Sequence, residues 1–277
     1  MRFSLNRIPG KRKIILPLFF FLLLVGITNP VKGQQVRDIY LVDFSPVIND
    51  SIAQKEFFHQ VDLYAINRLT LPRLYNFYYH PYLSAFIDKC WDHGIREISA
   101  GLPVAFMDSP DFERKAFSNL INSYTYEREW WNDSVNSSPV RELAQLQKLQ
   151  RTNPRLYFTI YYGWFGKNDN QESLALTSVN TFENILLHHY RDRPDFGYVR
   201  DRLLTFAKAA SRYRKKQNVI LRISVEERYI PDISPEKMGQ FFDQIMADFR
   251  IAQRQNPELN YINLQGWQIY EYGHLLD

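Results

Sequence analysis

Between Asp38 and Trp267 the chain alternates eight times between a short β-branched or aromatic run and a more polar stretch, usually of helical period. No other feature restricts the fold as much. Strand and helix in repeated alternation feed parallel strands through crossovers, and eight such units close on themselves. The strand-like runs fall at 38–44, 65–71, 96–106, 122–131, 155–162, 184–190, 218–225 and 260–267. Helical runs are predicted at 54–64, 81–93, 109–119, 138–151, 198–215 and 234–255. Gly94 supplies a stop for the second of them. The Ser-Pro pairs at 109–110, 138–139 and 234–235 each offer an N-cap followed by proline in the first turn. Residues 167–181 are polar and show no clear element. The expectation is a single (β/α)8 TIM barrel. An open doubly wound sheet is the rival. That fold places a Gly-rich phosphate turn after its first strand, where Phe44-Ser-Pro-Val-Ile48 stands instead.

The first residues describe a destination. Arg2, Arg7, Lys11, Arg12 and Lys13 precede a mostly apolar run at 14–27, and Val31-Lys-Gly33 offers small residues for cleavage. This is the layout of a secretory signal peptide. The apolar run falls short of the ~20 residues that span a bilayer, and Pro17 interrupts it. The expected division is a signal peptide over 1–33 and a barrel domain over 34–277, exported to the periplasm, the cell surface or the medium. No stable membrane span is expected after cleavage. Six of the 34 basic residues lie in the first 33 positions, which hold no acids, so 28 basic residues face 30 acidic ones beyond them. The basic balance of the whole chain belongs to the export segment, and composition gives no reason to expect nucleic-acid binding. Cys90 is the sole cysteine, which excludes an intrachain disulfide. It lies in an apolar-periodic run and reads as a buried core thiol.

Chemistry on such a barrel sits at the C-terminal ends of the strands. The fourth run, Asn122-Ser-Tyr-Thr125-Tyr-Glu127-Arg-Glu129-Trp-Trp131, places Thr125, Glu127 and Glu129 on one face. Two adjacent carboxyls repel when both are ionised, so one tends to hold a proton. The other strand ends bring Asp43, Tyr162, Trp164, Tyr190, Asp192, Glu226, Glu227 and Trp267. With Trp130 and Trp131 they suggest a carbohydrate surface, since aromatic faces cover sugar rings. The plainer reading is that an arginine such as Arg128, Arg191 or Arg222 binds the carboxylates, and that the tryptophans are core. His188 and His189 are adjacent on a strand and face opposite sides, so they are no chelating pair.

The spacing Asn122, Thr125, Glu127, Glu129 resembles the D-x-x-D-x-D-x-E of the chitinase-type barrels of glycoside hydrolase family 18. Ser99-Ala-Gly101, Tyr190 and Trp267 match further family positions in part. The resemblance implies acid-assisted hydrolysis of a β-linked glycan containing N-acetylhexosamine. Glu129 would be the proton donor, and Glu127 and Tyr190 would position the substrate's N-acetyl group. Trp267 would floor the sugar site, with Trp130, Trp131, Trp164, Tyr162, Asp192, Glu226 and Asp43 as further substrate contacts. No metal or organic cofactor is expected, and carbohydrate is the expected partner. Two other readings stay open. One is a non-catalytic glycan-binding or scaffold barrel. The other is a retaining glycosidase with glutamates on strands four and seven, Glu226 or Glu227 opposing Glu127 or Glu129.

Overall fold

Eight strands form one closed parallel sheet in chain order, and the last returns to pair with the first. The structure is a computed structural model and describes residues 35–77, 79–101, 121–127, 139–152, 157–163, 171–226, 228–230 and 233–270. The strands are β1 (Val36–Tyr40), β2 (Arg68–Leu71), β3 (Glu97–Gly101), β4 (Ser123–Glu127), β5 (Tyr157–Tyr162), β6 (Asn184–His189), β7 (Gln217–Ser224) and β8 (Ile262–Tyr270). Around them lie α1 (Ser45–Asn49), α2 (Ser51–Leu63), α3 (Leu83–Asp92), α4 (Pro139–Thr152), α5 (Gln171–Thr181), α6 (Phe196–Arg212) and α7 (Pro235–Gln255). The fold is a (β/α)8 TIM barrel. Among the described residues no helix is long and apolar enough to cross a membrane.

Local chemistry sets the element ends. Asp50 accepts hydrogen bonds from the Ile52 and Ala53 amides at the start of α2, Asp195 from Tyr198 at α6, and Ser234 from Lys237 at α7. Each satisfies donors that a helix start leaves open. Gly94 ends α3 with φ of 85°. Ala65, at φ 49°, turns the chain out of α2, so β2 begins at Arg68 instead of Ala65. The polar stretch expected to lack structure contains α5. Leu174, Ala175, Ser178, Val179 and Thr181 are its buried face, and the serine and threonine in that stripe disguise its period. The predicted helix at 109–119 lies outside the described residues, as does residue 1–33.

The sheet has two faces of opposite character. Ile39, Leu69, Ile98, Phe158, Ile185, Leu221 and Ile269 point outward into the main core. There they meet Val199, Leu203 and Phe206 of α6 and Met238, Phe242 and Ile245 of α7. Each large side chain so buried contributes roughly 1.5–3 kcal/mol. Cys90 belongs to this core, as its run implies. Alternate residues face the lumen. The proof is that their side chains meet across strands that are not neighbours, β2 with β5 and β4 with β7.

β8 departs furthest from its expected bounds, running to Tyr270. Val219 pairs with Leu264, but Ile220 pairs with Gly266, so Gln265 is an extra residue, a β-bulge. A Cβ on Gly266 would lie 1.9 Å from the Val36 carbonyl oxygen, and glycine alone permits that approach.

Three strand entrances share one device. The residue before β2, β4 and β6 is Asn67, Asn122 and Glu183 respectively. Its amide donates to the carbonyl of Arg37, Ile98 or Phe158 on the preceding strand. Its side-chain oxygen accepts the amide of that same partner, at 3.0, 2.8 and 2.8 Å.

Candidate active site at the barrel mouth

A continuous polar ladder fills the lumen from mouth to base. At the mouth, Glu127 of β4 accepts from the Tyr40 hydroxyl at 2.5 Å and from Arg222 Nη2 of β7 at 2.5 Å. Arg222 Nε donates to Gln268 Oε1 at 2.6 Å, and Gln268 Nε2 donates to Asp38 Oδ2 at 2.6 Å. Thr70 also donates to Asp38, at 2.9 Å. Arg68 Nε lies 3.4 Å from Asp38 Oδ2 and 3.2 Å from Glu97 Oε1. Arg68 Nη2 reaches Thr159 at 3.0 Å and Thr125 at 3.5 Å, and Thr125 bonds Ser99 at 2.7 Å. Anion and cation thus alternate along the axis: Glu127, Arg222, Asp38, Arg68, Glu97. Buried charges are tolerated where an opposite charge lies so close. Burial raises the Asp38 carboxyl to about 6, against the lowering influence of Arg68, Gln268 and Thr70.

Tyrosines cage the Arg222 guanidinium. Its central carbon lies 4.2 Å from the Tyr161 ring centre, 4.4 Å from Tyr40 and 5.4 Å from Tyr270. Such cation–π contacts strengthen where water is excluded. Burial works against the charge, but Glu127 and the tyrosine oxygens hold Arg222 above its ordinary value. Tyr190 follows β6 and stacks on Tyr270 at 5.6 Å and on His188 at 4.8 Å. Its hydroxyl bonds Tyr161, and burial pushes its phenol up.

His188 continues the network away from the mouth. Its Nδ1 pairs with the Tyr161 hydroxyl at 3.1 Å and its Nε2 with the Tyr198 hydroxyl at 3.0 Å. Burial, then Arg202 and Arg222, push its pKa down to about 3. The ring is therefore neutral, giving one hydrogen bond and accepting another. Arg202 of α6, itself nearly enclosed, donates to the backbone carbonyls of Gly163, His188 and Tyr198. It pins the ends of β5 and β6 to the helix beside them. His189 faces the other way, against Phe241 and the Asp195 carbonyl. Among the described residues no group of three His, Cys, Asp or Glu side chains could hold a metal ion.

The expected site residues separate into three groups. Glu127 and Tyr190 lie at the mouth and share Arg222 as a neighbour. Glu226 is at the rim, ion-paired with Arg228 at 2.6 Å. The structure corrects four others. Trp267 lies inside β8, not at its end, and packs in the core between sheet and helices, so it cannot floor a luminal sugar site. Gln268 takes the luminal position beside it. Tyr162 likewise faces outward, edge-on to Phe206 at 5.2 Å. Asp43 lies beyond β1, exposed, and accepts the Ser45 amide at the start of α1. Asp192 is exposed in the loop after β6. Glu129, Trp130, Trp131, Trp164 and Glu227 lie outside the described residues. Asn122, first in the strand-four motif, sits at the opposite end of the barrel as a backbone clamp.

Asp38, Tyr40 and Gln268 were not singled out from the sequence. Arg222 was named only as one of three arginines able to bind a carboxylate. The signal for it was present: a lone arginine inside Val-Ile-Leu-Arg-Ile needs a partner in any buried strand.

An arabinofuranosidase structure superposes with TM-score 0.50 at 8% identity, over 85% of this chain and 64% of that one. The α-L-arabinofuranosidase of Thermotoga maritima, in its arabinose complex, gives 0.49 at 11% identity, over 85% and 64%. Active domain 2 of the chitinase from Pyrococcus furiosus gives 0.47 at 13% identity, over 87% and 84%. This chain thus spans 64% of the length of either arabinofuranosidase chain. No family model matches the chain, and no curated protein does. At these identities the likeness is one of fold, the (β/α)8 barrel.

Proposed function

We propose that the chain is an exported carbohydrate-active barrel that binds a β-linked, N-acetylhexosamine-containing glycan at its mouth and hydrolyses it with acid assistance. The observation that carries this reading is the fixed carboxylate of Glu127, held by Arg222 and Tyr40 amid the rings of Tyr40, Tyr161, Tyr190 and Tyr270. Aromatic faces and charged hydrogen-bonding groups in one recess are what a sugar ring needs. Glu127 is suited to positioning, because Arg222 and Tyr40 each engage one of its oxygens and fix the carboxyl in place. Proton donation is assigned to Glu129, the last acid of the resembled motif. A screen of glycans with the purified chain and its Glu129→Gln variant tests the reading. Cleavage by the parent and not by the variant is expected. Export is tested by sequencing the N-terminus of the protein recovered outside the cytoplasm, with Gln34 expected first.

A second reading, glycan binding without turnover, is favoured by one observation. Thr125, which takes the place of an inner acid of the resembled motif, is committed to Ser99 and Arg68 and can relay no proton to Glu127. Binding by parent and variant alike, with no cleavage by either, would establish it. For a two-glutamate mechanism the geometry is less suited. The side chain that meets Glu127 from β7 is a cation, Arg222, and Glu226 is engaged with Arg228.

A further inference from the structure

We infer that Arg222 and Glu127 act together as a donor–acceptor pair for the neutral hydroxyls of a sugar ring, and that the same pair rejects a ring carrying a carboxylate. The inference rests on the carbohydrate reading and adds to it the charge class of the sugar and a ligand-contacting residue on β7. Arg222 uses Nε for Gln268 and Nη2 for Glu127, while Nη1 has no hydrogen-bond partner among the described residues. Its side chain is 3% exposed, so this amino group is nearly enclosed yet unused by the protein. A guanidinium carries its N–H groups in a rigid fork, and two bonds plus three aromatic neighbours fix that fork in place.

Glu127 offers the complement. Each of its oxygens accepts one bond, from Arg222 and from Tyr40, and a carboxylate has about four acceptor sites. At 27% exposure it is the open member of the pair. A hydroxyl gives one hydrogen bond and takes others, so adjacent sugar hydroxyls match an unused donor beside an unused acceptor. Charge decides the rest. Arg222 and Glu127 cancel, so a neutral ligand oxygen brings no net charge into the recess. A ligand carboxylate directed at Nη1 would lie beside Glu127, and like charges side by side oppose binding. The charged groups nearby do not reverse this. Arg228 is paired with Glu226, and Arg191 is engaged over the Tyr198 ring. Exposed Asp192 acts only through salt-screened water.

Calorimetric titration at about 0.15 M salt tests the inference with two probes, the N-acetylglucosamine tetramer and the hyaluronan tetrasaccharide, in which glucuronate alternates with N-acetylglucosamine. The neutral tetramer is expected to bind at least about tenfold more tightly. Glu127→Gln should narrow the gap to about threefold or less, by weakening the neutral probe and admitting the acidic one. Circular dichroism shows whether that variant folds, and the parent comparison decides the matter if it does not. Equal or tighter binding of hyaluronan by the parent overturns the inference and leaves the carbohydrate reading standing. Binding of neither probe overturns both.

Discussion

Asp38 is fully buried, and the sign of its effect on stability can be worked out. Its carboxyl is raised from 3.8 to about 6 in the folded chain. The folded state therefore holds a proton that the unfolded state has lost between those values. The stabilisation is complete below pH ~4 and is lost as pH rises through ~6, by about 3 kcal/mol for a shift near two units. Asp38→Asn removes this dependence. The stability of the parent relative to that variant, from urea unfolding at each pH, should fall between pH 4 and 6 and be flat above. His188 acts in the opposite direction. Its depressed pKa means the unfolded state takes up the proton first, so its stabilisation is lost as pH falls below about 6.5. Tyr40→Phe removes one bond to Glu127 and nothing from the core. A loss of about 1 kcal/mol in stability and a larger proportional loss in glycan affinity are expected from calorimetry.

Among the elements, the three strand-entrance clamps were the least visible beforehand. Asn122 resembled a motif position because of its spacing, yet its spacing reflects the barrel's base. An asparagine one residue before a strand can bond the neighbouring strand through both backbone and side chain, and no local pattern announces that. Asn122→Ala should destabilise the fold by about 1–3 kcal/mol, the cost of leaving a buried donor unpaired, and leave glycan binding unchanged. Denaturant midpoints and the glycan titration separate the two effects. Strands β5, β6 and β7 were legible because most of their outward positions are apolar, Phe158, Ile160, Ile185, Leu187, Val219, Leu221 and Ile223 among them. Helix α5 was not, because two of its five buried positions are polar, and polarity in a buried stripe defeats a reading by period. Trp267 was misjudged for a related reason. Its direction depends on an extra residue two places earlier, and pairing register cannot be seen in one strand alone.

At the scale of the whole molecule, the barrel was legible from alternation, while the contents of its lumen were not. Cross-lumen pairs such as Glu127–Arg222 join residues 95 positions apart, and sequence order carries no trace of them. The described core is continuous, with Cys90 fully inside it and its thiol pushed up by burial. A thiol reagent should therefore label Cys90 only at the rate of global unfolding, and labelling faster than unfolding measured by fluorescence would reveal a local opening of α3. The bulge at Gln265 has the widest reach of any single position. It sets the phase of everything after it on the closing strand. Were that one amino acid paired in turn with its neighbour strand, the glutamine that joins Asp38 to Arg222 would swing into oil while an indole took its place in the tube. The molecule's axial wiring hangs on one unit of slack in its final strand.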